Sequence, residues 1–273
     1  MIDLHTHTTA SDGRCRPGEL IAQAAAAGIR TLSVTDHDTV GGSADAEAAC
    51  RAAGIEFVSG IEITAVRDEV DVHVLGYFFD ATSPTLATFL AEQRQRRLDR
   101  VREIVARLAR LGIPLDAESI LRPGIEDGAK SAGRPWIARA LVAAGQAAST
   151  DEAFDRWLAR GRPAFVARLA AGPDEIVARI HEAGGVASFA HPGLVRHDEW
   201  LPGLVDAGLD ALEAYHSEHD AAETMRYLDL ARRLGLALSG GSDYHGDPSH
   251  GAAQLGGVAL PPEEFEKLKR RRR

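Results

Sequence analysis

Along roughly the first 80 residues, short apolar runs alternate with longer, alanine-rich stretches of helical period. IDLH is followed by GELIAQAAAAG and TLSVTD by SADAEAACRAAG, after which come FVSGIEIT and VHVLGYF. Short buried strands trading places with helices is the rhythm of βα units, so the pattern predicts a largely parallel sheet. The rhythm resumes with DEIVARIHEAGG, VASFAHP, LPGLVDAG, DALEAYH, ETMRYLDLARRLG and LALSGGSDYHG. Helical runs end at Gly28, Gly54, Gly184 and Gly235. At each, a residue free to take positive φ closes the last turn before the next strand.

Between these two stretches, over residues 86–168, the strand rhythm gives way to a helical, arginine-rich segment. It includes STDEAFDRWLARG, where Ser149 or Thr150 is placed to cap a helix. About 80 residues is too long for an ordinary crossover. The expectation is therefore an α/β barrel assembled from residues 1–85 and 169–273, with residues 86–168 as a helical insertion covering the active site. RQRRLDRVREIVARLAR within it reads as a solvated helix face, and the terminal KLKRRRR as a frayed tail.

Composition narrows the class. A chain of 273 residues, 45% hydrophobic and 26% charged, suits a soluble globular protein of one large domain. No run approaches the ~20 apolar residues of a membrane span. Only Ile2 and Leu4 are strongly apolar before the histidines begin, which is no targeting segment. Two cysteines, Cys15 and Cys50, make no disulfide framework, so a reducing, cytoplasmic setting is expected. Cys15 lies near the histidines but reads as a small buried thiol rather than a ligand. A net charge of −9 disfavours a grip on long duplex nucleic acid.

The polar residues then fall into place on this map. His5 and His7 end the first strand, Asp36 and His37 the second and Glu62 the third. His73 begins the fourth, His191 ends the fifth, Glu213 and His216 the sixth, and Asp243 and His245 the last. In α/β barrels the C-terminal rim of the strands is where functional groups converge. Residues two apart in an extended chain share a face, so His5 with His7, and Asp243 with His245, can each clasp one ion. Histidines at so many strand ends, joined by Asp12, Glu62 and Asp243, need partners if buried, and metal ions supply them. Imidazole and carboxylate ligands without thiolate suit Mn, Fe or Zn, and a shared carboxylate implies more than one ion. Metals about 3.5–4 Å apart clamp the attacking and leaving oxygens of a phosphoryl transfer, which points to phosphate-ester hydrolysis.

Through HTHTTASDG, TDHDT, GIE, HVLGY, AHPG and SGGSDYHG the chain resembles the PHP (polymerase and histidinol phosphatase) phosphoesterases over nearly its whole length. The resemblance implies a distorted seven-stranded (β/α) barrel with three divalent ions, Mn²⁺ foremost and Zn²⁺ or Fe²⁺ as alternatives. One ion would take His5, His7, Glu62 and Asp243; a second Asp12, His37 and His245; a third Glu62, His73 and His191, with Glu62 bridging. SAGRPWIARALVAAG, EAFDRWLARGRPAFV and EAYHSEH further resemble the subgroup of 3′,5′-nucleoside bisphosphate phosphatases and 5′-3′ small-RNA exoribonucleases. By that likeness Arg134 would grip a substrate phosphate, with Lys130 and Ser131 beside it. The chain departs from the motif at Trp136, where the subgroup commonly has His; Trp136 reads as a base-stacking surface or as a core residue. His197, Glu213, His216 and His219 are further candidates, His197 or His216 to touch phosphate or ribose or to act as general acid. His219, His181 and His250 read equally as exposed and idle.

The expected activity is removal of the 3′-phosphate from adenosine 3′,5′-bisphosphate to leave AMP and phosphate, with Asp12, His37, Arg134, His197 and His216 in the catalytic group. The alternatives are 5′-3′ trimming of short oligoribonucleotides, histidinol-phosphate hydrolysis, and a non-catalytic nucleotide sensor. A small nucleotide substrate is the expected partner, with no membrane and no obligate protein partner.

Overall fold

A computed structural model describes residues 1–246 and 254–273. Strands β1 (Ile2–Asp3), β2 (Thr31–Val34) and β3 (Glu56–Arg67) run parallel, linked by helices α1 (Pro17–Ala26) and α2 (Ser43–Ala53). β3 then turns at Asp68 and Glu69 straight into β4 (Val70–Tyr77), which pairs antiparallel with it. Both turn residues have positive φ, 49° and 64°, the handedness that a two-residue hairpin turn favours. β5 (Val186–Phe189) is antiparallel to β4, and parallel pairing returns with β6 (Ala211–His216) and β7 (Ala237–Gly241).

The sheet is largely parallel, as expected, with β4 as the antiparallel exception. Two turn residues leave no room for a crossover helix, and VDVHV alternates apolar with polar as an antiparallel strand should. The seven strands lie in sequential order. The seam between first and last is closed by the Leu4 N–H donating to the Gly240 carbonyl (3.1 Å), Asp243 N–H to His5 (2.8 Å) and His7 N–H to Tyr244 (2.9 Å). The result is a seven-stranded α/β barrel. Gly28, Gly54, Gly184 and Gly235 all have positive φ at helix ends.

The insertion holds α3 (Pro84–Arg110), α4 (Ala117–Glu126), α5 (Arg134–Ala143) and α6 (Thr150–Ala153), the last running into a wider, π-helical turn over Phe154–Leu158. Ser149 caps α6 by accepting the Glu152 N–H at 3.1 Å. α3 starts at Pro84, capped by Ser83. Near its start, Leu86, Phe89 and Leu90 enter the barrel core. Further along, Leu98, Val101, Val105 and Leu108, at helical spacing, pack with Leu121, Ile137, Leu141 and Leu158 in a second core. One continuous helix is thus anchored in both cores and holds the insertion to the barrel.

Two sequence expectations change here. The arginines of α3 are not simply solvated: Arg94, Arg97, Arg100 and Arg107 reach the Gly124 carbonyl, Asp38, the Val166 carbonyl and the Phe165 carbonyl. Their spacing of three and seven puts them on one helix face. Nor is the tail frayed. Downstream of α7 (Pro173–Glu182), α8 (Pro192–Val195), α9 (Leu201–Asp206) and α10 (Ala221–Leu234), helix α11 (Pro262–Lys269) buries Phe265 and Leu268. Beyond it Arg271 bonds to the Gly235 carbonyl, Arg272 lies over Phe78, and Arg273 pairs with Asp210 at 3.0 Å. Among the described residues no helix is long and apolar enough to cross a membrane.

Candidate metal centre

The local sequence explains how each side chain is aimed. His5 and His7 follow β1 in extended chain and project to one side. The loop after them is organised by buried Asp36, whose carboxylate accepts from the Thr8 N–H (2.8 Å), the Thr8 hydroxyl (2.6 Å) and the Ser11 hydroxyl (2.6 Å). That folds the loop back and turns Asp12 toward His7 and His37. Glu62 and His73 stand inside long strands rather than at their ends: the hairpin pairs Thr64 with His73 and Glu62 with Leu75. Glu62, Thr64, Asp71 and His73 consequently share one face. Asp38, His191 and Asp243 have positive φ (53°, 26° and 54°), and such strained backbone clusters at functional sites.

Glu62 is the hub. Its Oε2 is approached by His5 Nε2 (3.3 Å), His7 Nε2 (3.3 Å) and His37 Nδ1 (3.1 Å), and its Oε1 by His73 Nδ1 (2.7 Å) and His191 Nε2 (3.1 Å). Asp243 Oδ1 lies 3.3 Å from His5 Nε2 and 3.0 Å from His7 Nε2. Asp12 sits 3.6 Å from His37 Nε2 and 3.4 Å from His245 Nε2. Ligand atoms of His5, His7, Glu62 and Asp243 fall within 4.8 Å of one another, as do those of His7, Asp12, His37 and His245, and those of His37, Glu62 and His73.

These residues fit divalent cations. His5 Nε2, both His7 nitrogens, His37 Nδ1, His73 Nδ1, Glu62 Oε2, Asp12 Oδ1 and Asp243 Oδ1 are all buried without a hydrogen-bond partner. Orphaned polar atoms cost about 1–3 kcal/mol each, so their convergence on common points makes sense only if something else satisfies them. Protonation suits this too. Burial alone would raise the carboxyls of Asp12, Glu62 and Asp243, but the surrounding histidines hold all three well below the usual range. Burial pushes His37 down to about 3, leaving it neutral. Burial would also lower His7, but the carboxylates of Asp243 and Glu62 beside it push it up to about 10, so it must release a proton to act as a ligand.

A second layer holds the first. Glu213 was expected at the substrate, yet it is wholly buried: Oε1 takes His5 Nδ1 (2.9 Å) and Oε2 accepts the His191 N–H (2.7 Å). It orients two candidate ligands instead. His216 is buried with Nδ1 accepting the Glu218 N–H (3.1 Å), which places its proton on Nε2, 3.5 Å from Asp243 Oδ2. His219, read as exposed, is buried, with its ring nitrogens on the Ala214 carbonyl and the Gly193 N–H. His181 pairs with Asp210 at 2.8 Å, and His250 lies outside the described residues. His197 is not brought to the cluster: it bonds to Glu199 at 2.7 Å and stacks on Trp200 at 4.1 Å, sharing no hydrogen bond, ion pair or ring contact with the candidate ligands. Cys15 accepts from Gln23 and joins none of the ligand groups.

The insertion docks on the ligand-bearing loop. The Ser131 N–H donates to the Ala10 carbonyl (2.8 Å), the Trp136 indole N–H to the Ser11 carbonyl (3.2 Å), and the Thr39 hydroxyl to the Ala129 carbonyl (2.6 Å). A cleft of about 520 Å³ runs beside this contact, lined by Thr9, Ser11, Arg14, Lys130, Trp136 and Arg139 among others. Arg134 makes an ion pair with Asp71 of β4 at 3.5 Å. A larger groove of about 620 Å³ between α10 and α11 has none of the candidate ligands in its lining. Sequence reading missed the carboxylate Asp3, which accepts the Ser242 and Gly256 N–H groups (2.9 and 3.2 Å) at the barrel seam. Its signal was a charged residue inside an otherwise apolar strand.

Comparison with known proteins agrees with this geometry. Residues 3–156 match the PHP domain family. A 5′-3′ exoribonuclease of Salmonella typhimurium is 36% identical over 252 residues, covering 89% of this chain and 84% of its own. A 3′,5′-nucleoside bisphosphate phosphatase of Chromobacterium violaceum is 34% identical over 269 residues, covering 96% and 93%. A crystal structure from Bifidobacterium adolescentis, described as a metal-dependent phosphoesterase, superposes with a TM-score of 0.89 at 32% identity over 99% of this chain and 96% of its own.

Proposed function

The chain belongs to the PHP domain family, and from that premise we propose that it is a metal-dependent phosphoesterase that removes the 3′-phosphate from nucleoside 3′,5′-bisphosphates. The observation that carries the metal-dependent chemistry is Glu62, one buried carboxylate approached by five imidazoles with further carboxylates at its flanks. His5, His7, Glu62 and Asp243 would hold one ion, Asp12, His37 and His245 a second, and His73 and His191 with Glu62 a third. Bound divalent ions there supply Lewis acidity and positive charge for a phosphoryl group.

The chain's own groups do the rest. His216 carries a proton on Nε2 at the edge of the cluster, where it can be given to a leaving oxygen. Arg134 presents a planar guanidinium suited to two phosphate oxygens. The insertion, seated on Ala10 and Ser11, closes over the nucleotide and excludes water from the candidate ligands. The similarity to a bisphosphate phosphatase over 96% of this chain supports the choice of substrate.

A second reading, 5′-3′ trimming of short oligoribonucleotides, is favoured by the basic cleft at Trp136, which offers an aromatic surface and cations beside the ligand loop. Phosphate release by the Mn²⁺-loaded protein separates the two. Adenosine 3′,5′-bisphosphate should yield AMP faster than histidinol phosphate or a 5′-phosphorylated trinucleotide is consumed. Preferential shortening of the trinucleotide would replace the first reading by the second, and no release from any of them would remove both.

A further inference from the structure

Asp12 stands outside the sheet. It follows β1 by nine residues, in a turn, and its Oδ1 is buried without a hydrogen-bond partner. The backbone of its loop must then set its aim toward His37 and His245. One side of that loop hangs on Asp36. The other side hangs on the insertion, which takes the two carbonyls immediately before Asp12: Ala10 accepts the Ser131 N–H at 2.8 Å, and Ser11 the Trp136 indole N–H at 3.2 Å. His37, of the same ligand group, is flanked in a similar way. Two residues after it the Thr39 hydroxyl donates to the Ala129 carbonyl at 2.6 Å, and a Cβ on Gly41 would lie 2.4 Å from Ala129, so close that only glycine fits. Glu62 and His73, by contrast, stand inside paired strands, and the ladder bonds hold them in place.

Among these contacts Trp136 is supported from two sides. It lines the cleft beside the ligand loop, yet its one polar atom is engaged with Ser11, and the far edge of its six-membered ring lies against Gly124 of α4. A Cβ on Gly124 would stand 3.2 Å from Cη2 and 3.3 Å from Cζ3, so the glycine makes room for the ring. Gly124 is buried, and its carbonyl is held in turn by Arg94 of α3, the helix anchored in both cores. A flat, rigid indole between a helix and a carbonyl fixes the distance between them. The ligand loop is thereby tied, through one side chain, to the framework of the insertion.

We propose that Trp136 is a positioning residue for Asp12: its indole N–H holds the Ser11 carbonyl, so that docking of the insertion and binding of the ion that Asp12, His37 and His245 would take stabilise one another. This rests on the metal-centre reading above. Such a coupling is reciprocal, so each event must strengthen the other by the same factor.

The test uses the full chain with Mn²⁺ alone, titrated in competition with a chromogenic chelator. Trp136→Phe keeps an aromatic ring and loses the donor, so one class of Mn²⁺ sites should weaken about three- to tenfold, the reach of one hydrogen bond, while the others hold. Trp136→His separates the bond from the packing, because imidazole Nε2 superposes on indole Nε1. It should bind that ion more tightly than Trp136→Phe and yet melt lower, having left Gly124 uncovered. Trp157→Phe is the control, since this tryptophan of the same insertion has its Nε1 buried without a partner; its Mn²⁺ affinity should match the parent's. In the parent, Mn²⁺ should slow exchange of the Ser131 amide hydrogen several-fold. Parental affinity at every site in Trp136→Phe, or a Ser131 amide indifferent to Mn²⁺, would overturn the assignment, and tighter binding by Trp136→Phe than by Trp136→His would reduce Trp136 to a packing residue. A parent that takes up no Mn²⁺ would remove the metal centre itself, an outcome distinct from any difference between the variants.

Discussion

At the scale of single residues, the site depends on groups that touch no substrate. Glu213 gives one oxygen to His5 Nδ1 and the other to the His191 N–H, so one buried carboxylate fixes a ring tautomer and a strained backbone together. Burial would raise its pKa, but His5 outweighs that and keeps it ionised. Removing such a partner behind a metal-ligating histidine typically costs 10–100-fold in metal affinity. Glu213→Gln preserves the shape and removes the charge, so Mn²⁺ affinity measured by chelator competition should fall about tenfold or more while the metal-free protein melts within a few degrees of the parent. Unchanged affinity would show that His5 needs no charged anchor.

At the scale of elements, the seam between β1 and β7 brings the candidate ligands His5 and His7 together with Asp243 and His245. Its tightness is set by Gly241, where an added Cβ would lie 2.3 Å from the His5 nitrogen and 2.8 Å from Asp3 Oδ1. Neither neighbour can retreat, since one is backbone and the other is held by the Ser242 and Gly256 N–H groups. Gly241→Ala should therefore cost about 1–3 kcal/mol or more, the usual penalty of overpacking. It should also reduce bound metal, because His5 and Asp243 would be pushed apart. Urea unfolding and metal analysis check the two together; a stable variant with full metal content would mean that the seam is not what sets the ligand spacing. The β3–β4 hairpin matters for another reason: by turning back at Asp68 and Glu69 it stacks His73 over the Glu62 face and leads Asp71 out toward the insertion.

At the scale of the whole molecule, α3 joins two hydrophobic cores and the C-terminal arginines fasten the chain's end to the barrel. Arg273 pairs with Asp210, which also receives His181 and the Ala187 N–H. Burial by itself would raise Asp210, but these hydrogen bonds outweigh it and lower its pKa. A carboxyl depressed on folding contributes stability above its unfolded pKa and loses it as pH falls through the folded value. Deleting residues 270–273 should then cost on the order of 0.5–1 kcal/mol at neutral pH, since Arg273 is well exposed. The loss should shrink as the pH is taken down into acid, through the depressed folded-state pKa of Asp210, and vanish once that group is protonated in both proteins. Chemical denaturation of the metal-free proteins at neutral and acid pH reads this directly; a loss that persists in acid would place the stabilisation elsewhere, in the Arg271 or Arg272 contacts.

The sequence by itself determined the helix ends and the ligand types. Gly28, Gly54, Gly184 and Gly235 had to close helices because no other residue takes positive φ so cheaply, and a hydroxyl at Ser149 or Thr150 had to cap α6, the structure choosing Ser149. The pair His5 with His7 was legible because extended chain repeats every two residues, whereas Asp243 has positive φ and goes to a different ligand group from His245. Tertiary structure alone decided the rest. Which histidines serve was not visible locally: His197, His216 and His219 have similar sequence surroundings, but only the fold sends one to Trp200, one to Asp243 and one to a buried carbonyl. Likewise the arginines of α3 read as a solvated face until folding set Asp38 and the Gly124, Phe165 and Val166 carbonyls against them. Charge on a helix is a local property, whereas its partner depends on elements far away in sequence, and that pairing exists only once both cores have formed.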